Sequence, residues 1–171
     1  FDVAAFIASG PRMSIKPASG QSTQEPSVWA TDDALALTFT ARYAEDWRYC
    51  SAWGKWLVWD GRRWQVDETL LVHHLIRAIC REAALKADSH RLAAKLAASS
   101  TVGGVERLAR TDRRHASTAD EWDADPWLLN TPDGVVDLRT GRLRPHARAD
   151  RMTKLATATP RGDCPRWRAF L

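Results

Sequence analysis

Positively charged side chains recur at helical spacing in the middle of the chain, where they could hold a polyanion. Arg77 and Arg81 lie four residues apart in one predicted helix, and Arg91 and Lys95 lie four apart in the next. Residues at this spacing share a helix face. Phosphate binding requires several cations within about 8 Å of one another at physiological salt. The spacing predicts a phosphate-contacting surface, and a merely solvated helix face is the competing interpretation.

Further arginines extend this basic region toward the end of the third predicted helix: Arg107, Arg110, Arg113 and Arg114. The net charge of the chain is only +4, but residues 61–115 hold eleven Lys and Arg against six Asp and Glu. Residues 1–60 hold five against seven, and residues 116–171 hold nine against eight. The basic excess therefore falls in the middle third and favours a polyanionic partner.

Four tryptophans fall within residues 53–64, which read W-G-K-W-L-V-W-D-G-R-R-W. Indole rings either stack on nucleic-acid bases or pack in a core. Asp60-Gly61 between two apolar runs predicts a β-hairpin with a two-residue turn. Such a turn pairs Trp59 with Arg62 and Leu57 with Trp64.

The predicted pairing divides the hairpin into two faces. Leu57, Trp59 and Trp64 share a mainly apolar face, which we expect to pack on a helix because a lone hairpin is barely stable in water. Trp56 lies on the mixed face beside Arg63, where it could stack on a base. We therefore add Trp56 and Arg63 to the predicted nucleic-acid contacts, although packing of all four indoles is the alternative.

Catalytic signatures are missing from the sequence. It contains no phosphate-binding loop G-x-x-x-x-G-K-[ST], no G-x-S-x-G and no H-E-x-x-H. His73 and His74 point about 100° apart on a helix and cannot easily share one metal ion. An acidic cluster could hold Mg²⁺ or could supply helix caps and ion pairs; its members are Asp120, Glu121, Asp123 and Asp125. We predict no catalytic residue and no metal site.

Composition is that of an ordinary soluble globular protein. Of the 171 residues, 44% are hydrophobic and 27% are charged. No apolar run is long enough to span a membrane, and the N-terminus lacks a signal-peptide pattern. Three widely spaced cysteines, Cys50, Cys80 and Cys164, predict neither a disulfide framework nor a zinc site. A reducing, cytoplasmic location is therefore expected.

The chain divides into a linker and one domain. Residues 1–9 resemble the end of a preceding element, and residues 10–30 have the Pro, Ser, Gly and Gln content of a linker. The predicted domain covers residues 31–171. Its first helix begins at Thr31 or Asp32 and buries Leu35, Phe39 and Tyr43.

The remaining elements complete an α+β prediction. A helix is predicted over 68–87, with an i, i+4 pair between Glu82 and Lys86, followed by helices from about residue 89 and over about 101–110. A second β-hairpin is predicted over 135–144, and the last eight residues could start another helix. The predicted fold is mainly helical with two β-hairpins, a single compact domain after an extended linker.

Two blocks of sequence resemble a known pattern. The first comprises A-R-Y-A-E-D-W-R-Y-C (41–50) and W-G-K-W-L-V-W-D-G-R-R-W-Q-V-D (53–67). The second is D-E-W-D-A-D-P-W-L-L-N-T-P-D-G-V-V-D-L-R-T-G-R-L-R-P-H (120–146), followed by C-P-R-W-R-A-F-L (164–171). Over residues 31–171 the chain resembles the domain that precedes the superfamily 3 helicase motor in phage and plasmid primase–helicases, with a relative in poxviruses.

This resemblance implies a role in replication of a mobile element. The parent is expected to be an ATP-dependent DNA helicase or primase whose ring-shaped motor uses ATP and Mg²⁺. The domain itself is expected to need no cofactor and to be non-catalytic, since no motif of the motor falls within it. The implied partners are single-stranded or forked DNA and, through the parent, further copies in a ring. The alternative is a protein-interaction module that links primase and motor without binding DNA.

Overall fold

The described residues form five α-helices and two β-sheets, of which one is mixed and the other antiparallel. A computed structural model describes residues 28–160, 162–163 and 165–170. Its helices are α1 (Asp32–Tyr43), α2 (Leu71–Leu85), α3 (His90–Leu96), α4 (Ser99–Ala109) and α5 (Pro165–Phe170). Its strands are β1 (Trp47–Cys50), β2 (Lys55–Trp59), β3 (Trp64–Val66), β4 (Ala116–Ser117), β5 (Leu128–Thr131), β6 (Gly134–Asp137) and β7 (Arg142–Arg144). The predicted α+β class is confirmed, whereas most of the predicted linker, residues 1–27, lies outside the described residues.

Helix α1 begins where the sequence predicts. The Thr31 side chain accepts a hydrogen bond from the Ala34 backbone N–H at 3.2 Å, which satisfies one of the unpaired donors of the first turn. Leu35 and Phe39 are buried, and Tyr43 is half-buried against the same core. The apolar stripe at four-residue spacing therefore faces inward, as expected.

The first hairpin has a longer loop than predicted. Asp60 Oδ1 accepts hydrogen bonds from the backbone N–H groups of Arg62 and Arg63, both at 2.7 Å, and closes a four-residue loop over 60–63. Trp59 therefore pairs with Trp64, not with Arg62, so the predicted register is wrong. The shift is two residues, and since side chains alternate with a period of two, each residue keeps its predicted face.

Both faces of the first sheet are covered, and the helices lie on the face that the sequence did not predict. This sheet has the order β3-β2-β1-β4, with β4 parallel to β1. Trp47 and Trp56 face the helices and pack with Phe39 in the main core. The Leu57 and Trp64 face packs instead on Trp122 from the later part of the chain. Those side chains are buried as predicted, but against a loop segment rather than a helix.

A buried polar network joins the first sheet to α4. Glu106 is only 3% exposed, and its carboxylate accepts a hydrogen bond from Trp56 Nε1–H at 2.8 Å. The same carboxylate pairs with the Arg110 guanidinium, whose carbon lies 5.1 Å from the centre of the Tyr49 ring. A buried carboxylate needs such partners, because an unpaired buried charge is strongly destabilising. The network therefore fixes α4 on the sheet.

The second sheet, β5-β6-β7, attaches to the first through the chain that follows it. Trp64 N–H donates to the Met152 carbonyl at 2.8 Å, and Trp64 Nε1–H donates to the Arg148 carbonyl at 3.0 Å. Asn130 Nδ2–H donates to the carbonyls of Arg62 and Lys154. The two sheets thus form one compact domain.

A histidine lies at the centre of the main core. His115 is fully buried, packs against Phe39 and Trp56, and its Nδ1 lies 3.0 Å from the Trp47 carbonyl oxygen. The carbonyl can only accept, so Nδ1 carries the proton and donates. Burial lowers the pKa of His115 below its ordinary value, although the hydrogen bond to Trp47 opposes this shift. The imidazole is therefore held neutral.

We predict that Glu106→Ala lowers the free energy of unfolding by about 3 kcal/mol, because it removes the acceptor of the buried Trp56 N–H as well as the Arg110 ion pair. Urea denaturation followed by circular dichroism measures this loss. Glu82→Ala is the matched control, since Glu82 also binds one arginine, accepting hydrogen bonds from Nη1 and Nη2 of Arg42, but at the surface. Equal losses for the two variants would contradict a structural role for the network.

We predict that His115 makes the fold acid-sensitive. Below pH about 6.5 the unfolded chain binds a proton at this imidazole, whereas the folded chain, with its lower pKa, does not. The neutral ring therefore makes its full contribution to the free energy of unfolding above pH about 6.5. This contribution is lost as the pH falls toward the lower pKa that His115 has in the folded chain. The urea midpoint should therefore fall less between pH 7 and pH 5 in His115→Gln than in the wild type. His74→Gln, at an exposed position, is the matched control, and an equal change in the two variants would contradict a specific role for the buried ring.

Candidate nucleic-acid interface

Helix α2, which carries two of the predicted phosphate contacts, begins three residues later than predicted. Asp67 accepts hydrogen bonds from the backbone N–H groups of Thr69, Leu71 and Val72 at 3.0–3.1 Å. Leu70 then adopts a left-handed conformation with φ 59°. Burial opposes ionisation of Asp67, but these hydrogen bonds outweigh it and lower the pKa of the carboxyl group. The Asp67 carboxylate therefore sets the start of the helix at Leu71.

The two faces of α2 differ sharply in character. Its inward face consists of buried apolar side chains: Val72, Ile76, Ile79, Cys80 and Ala83. His74, Arg77 and Arg81 lie on the outward face and are exposed. Exposed leucines flank this basic stripe, since Leu70 precedes it and Leu85, at 88% exposure, follows it. The spacing therefore places Arg77 and Arg81 in solvent, as predicted.

Helix α3 adds two more exposed cations next to α2. Ser89 accepts a hydrogen bond from the Leu92 backbone N–H at 3.2 Å and caps the helix. Leu96 is buried, whereas Arg91 and Lys95 are exposed on the outer side. Because α3 packs against α2, the structure brings the four predicted cations onto two neighbouring helices.

These four cations have no carboxylate partner in the part of the chain that the structure describes. Across residues 28–160 no ion pair involves Arg77, Arg81, Arg91 or Lys95. The nearest acid along α2, Glu82, is bound instead by Arg42 of α1 at 2.8 Å. Glu82 therefore forms its ion pair with Arg42 instead of Lys86, and the Arg42 hydrogen bonds, with a smaller effect of the Lys86 charge, lower the pKa of Glu82. The positive charge of this surface, which we call the α2–α3 basic surface, is not neutralised within the described domain.

The arginines at the end of α4 do not all extend that surface. Arg110 binds Glu106, and Arg114 binds Asp112 through two nitrogens at 2.7 and 3.0 Å. The Arg114 hydrogen bonds lower the pKa of Asp112 to about 2. Arg107 and Arg113 remain exposed.

Two predicted contacts are placed differently by the structure. Trp56 is 6% exposed and its indole N–H is bound to Glu106, so neither ring face can receive a base. The prediction of Trp56 as a nucleic-acid contact is wrong. Arg63 is half-buried in the hairpin loop, with Nη1 3.5 Å from the Thr153 carbonyl oxygen and Nε 3.8 Å from Asp60. Its contacts belong to the junction of the two sheets rather than to the α2–α3 basic surface.

A second group of arginines, missed by sequence reasoning, stacks on indole rings. The guanidinium carbons of Arg48 and Arg151 lie 5.1 and 5.9 Å from the centre of the Trp64 ring. Arg148 lies 5.8 Å from the Trp59 ring and pairs with Asp46. Burial, and then the charge of Arg151, lowers the pKa of Arg48. Of these three arginines, only Arg48 lies in the tryptophan-rich stretch 47–64, and Arg148 and Arg151 come from the later part of the chain, so no local pattern indicates this packing.

Three members of the acidic cluster accept hydrogen bonds that hold the fold together. Glu121 accepts hydrogen bonds from the Thr118 backbone N–H at 2.8 Å and from its hydroxyl, and Asp125 accepts from Trp127 N–H at 2.9 Å. Asp123 binds the backbone N–H and the hydroxyl of Thr153. The described residues contain no grouping of His, Cys, Asp and Glu suited to a metal ion.

The two cysteines that the structure describes are buried free thiols. Cys50 and Cys80 form no disulfide, while Cys164 lies outside the described residues. Burial, and then the charge of Asp32, raises the pKa of the Cys80 thiol to about 11, so little reactive thiolate forms at neutral pH.

Among the helices that the structure describes, none has the length and apolar content needed to cross a bilayer.

The structure is that of an α+β domain with a basic surface on two helices that no carboxylate neutralises among the described residues. The match to a known protein family identifies the domain more specifically. The model of the family described as D5 N terminal like matches residues 36–171, and the chain belongs to this family, the N-terminal domain of D5-like primase–helicase proteins. The resemblance found in the sequence is thereby confirmed. No curated protein sequence matches the chain.

We predict that Asp67→Ala lowers the free energy of unfolding by about 1–2 kcal/mol, the usual loss when a helix N-terminus loses its side-chain acceptor. Amide exchange should also accelerate in the first turn of α2, which positions Arg77. Glu68→Ala is the matched control, because Glu68 is the adjacent exposed acid and makes no hydrogen bond within the described range. Equal effects of the two variants would show that the Asp67 carboxylate does not define this helix start.

Proposed function

We propose that this domain is a non-catalytic DNA-contacting part of a replication primase–helicase, and that the α2–α3 basic surface is where it meets DNA. The observation that carries the proposal is the set of four exposed cations without carboxylate partners in the described domain. Guanidinium and ammonium groups that are not neutralised internally are free to replace the counterions of a phosphate backbone. Membership of the D5 N terminal like family supports the replication context.

The chemistry of the surface favours backbone contact over base recognition. Arg77, Arg81, Arg91 and Lys95 supply charge, and neither α2 nor α3 contains a Phe, Tyr or Trp that could stack on a base. Binding should therefore be insensitive to base sequence and strongly dependent on salt. Single-stranded or forked DNA, as expected beside a helicase motor, is the proposed partner. ATP and Mg²⁺ would be used by the motor of the parent protein and not by this domain.

A second function is favoured by a different observation. Leu70 and Leu85 are exposed at the two ends of the basic stripe on α2, and phosphate contact gives no reason for them. Leucines flanking arginines suit an acidic, amphipathic protein segment. The alternative function is thus a protein-interaction module that joins a primase to a motor or one subunit to the next in a ring, without binding DNA.

We predict that reversing Arg77 and Arg81 to Glu weakens binding of single-stranded DNA by more than about tenfold at low salt. The dependence of log K on log salt concentration should become shallower by about 1.4, because two phosphate contacts are lost at about 0.7 each. Filter-binding titrations of the full chain from 50 to 200 mM salt measure both quantities.

The matched control reverses Arg139 and Arg142, which changes net charge by the same amount on exposed arginines of the second sheet. This control should keep most of the wild-type affinity. Equal losses in the two variants would mean that only overall charge matters, which contradicts a defined surface. Unchanged DNA binding combined with lost self-association or lost primase contact in the Arg77→Glu, Arg81→Glu variant would establish the alternative function.

A further inference from the structure

The cations of the α2–α3 basic surface would not by themselves distinguish single-stranded from double-stranded DNA. Both forms carry phosphates, whereas an unpaired base also offers a ring face on which an aromatic side chain can stack. Three tryptophans in the described part of the chain are exposed enough to receive a base: Trp29, Trp53 and Trp127 are 41%, 42% and 47% exposed.

The surroundings of these three indoles differ. The Arg139 guanidinium lies 5.2 Å from the centre of the Trp127 ring and occupies part of its surface. Trp29 contacts no other aromatic ring among the described residues, so no ring packing fixes its orientation. Trp53, in contrast, packs on a buried indole and has no cation over its ring in the described part of the chain. Trp53 is therefore both oriented and accessible.

The turn between β1 and β2 positions Trp53. The Gly54 backbone N–H donates to the Ser51 carbonyl at 3.2 Å and closes the turn, while Gly54 adopts φ 62°, which glycine accommodates readily. The Trp53 ring centre lies 6.1 Å from that of Trp122, which is 6% exposed and packs in turn on Trp64. The Trp53 indole thus rests on the second core cluster without being buried in it.

Small neighbours leave space beside the Trp53 ring. Ser51, Ala52 and Gly54 are all exposed. A Cβ added at Gly54 would have no atom within 4 Å beyond its chain neighbours among the described residues. A planar ligand can therefore approach the exposed part of the indole.

The area of the exposed ring favours a base over a protein partner. A tryptophan side chain buries about 150–250 Å² when it is fully covered, so Trp53, at 42% exposure, offers on the order of 100 Å². A stable protein–protein interface requires about 800 Å² from each partner. Stacking on a single base, by contrast, contributes to affinity through one aromatic ring.

Charges near Trp53 are close to balanced. Lys55 is exposed two residues from Trp53 and has no carboxylate partner in the described range, and the exposed Asp120 lies two residues from Trp122. Glu121 is paired with Arg151 at 3.4 Å. Stacking rather than phosphate contact would therefore supply the affinity at this position.

We propose that Trp53 stacks on an unpaired base of single-stranded DNA. This inference rests on the proposed function for its ligand, DNA, but it names a contact on a different element from the α2–α3 basic surface. Because every base has a ring face, the contact selects single strands without selecting a base sequence.

Binding of fluorescently labelled oligothymidine to the full chain tests the contact. Trp53→Ala should weaken binding about tenfold, because stacking on one base is lost. The slope of log K against log salt concentration should remain that of the wild type, since no phosphate contact is removed. Trp29→Ala is the matched control at a tryptophan of nearly equal exposure and should keep the wild-type affinity. Equal affinities of the wild type and Trp53→Ala would overturn the proposal.

An abasic strand of the same length separates stacking from a general loss of binding. It carries the same phosphates without bases, so the wild type and Trp53→Ala should bind it equally. Trp53→Phe, which keeps an aromatic ring, should recover most of the affinity for oligothymidine. Circular dichroism confirms that the variants are folded. Weaker binding of the abasic strand by Trp53→Ala, or lost self-association with unchanged DNA affinity, would overturn stacking.

The same measurements separate this contact from the proposed function. The variant with Arg77→Glu and Arg81→Glu should change the salt slope but keep the ratio of oligothymidine to abasic-strand affinity, whereas Trp53→Ala should do the reverse. An unchanged ratio in Trp53→Ala overturns the stacking contact and leaves the basic surface standing. An unchanged slope in the double variant, together with a lost ratio in Trp53→Ala, contradicts the basic surface and supports stacking.

Discussion

The hydrogen bond between the Trp56 indole and the Glu106 carboxylate is the constraint on which the arrangement of this domain depends. A carboxylate buried to this degree must be satisfied, and its partners come from the sheet and from its own helix. The donor positions therefore fix where α4 can lie. Helix α4 in turn packs against α1 and α2, so the orientation of the outward face of α2 follows from a contact in the core.

The distribution of carboxylates explains why positive charge collects on α2 and α3. Residues 71–96 contain five Lys and Arg but only two acids, Glu82 and Asp88. Glu82 is held by Arg42, which removes the one acid of α2 from its neighbours. Several arginines outside these helices are paired with carboxylates, as with Arg144 on Asp150 and Arg148 on Asp46. The basic surface is thus a consequence of both composition and pairing.

Features set by neighbouring residues could be predicted from the sequence. Helical spacing alone decides the inward stripe of α1 and the outward positions of Arg77 and Arg81. The cap at Thr31 depends only on residues of the first helical turn. Because side chains alternate along a strand, each residue of the first hairpin lies on its predicted face although the predicted register is wrong. That register depends on Asp60 closing the loop through its side chain, and a D-G signal alone does not distinguish this loop from a two-residue turn.

Features set by distant residues could not be predicted in this way. Trp56 sits beside Arg63 in the hairpin pattern, yet its partner Glu106 is fifty residues away, and no local pattern reports that contact. The central strand β1 was also missed, because its four residues carry one arginine and gain burial only between β2 and β4. Whether a cation is paired likewise depends on tertiary packing, as Arg42 and Glu82 show.

Two kinds of attraction are available along α2. The α2–α3 basic surface attracts by charge, and such attraction weakens as salt screens it. Leu70 and Leu85, which are exposed at the two ends of the basic stripe, can attract only by burial of apolar area, which salt does not screen and which sulfate or phosphate strengthens. The dependence of binding on salt therefore separates contact with a phosphate backbone from contact through the leucines, because only the first depends on charge alone.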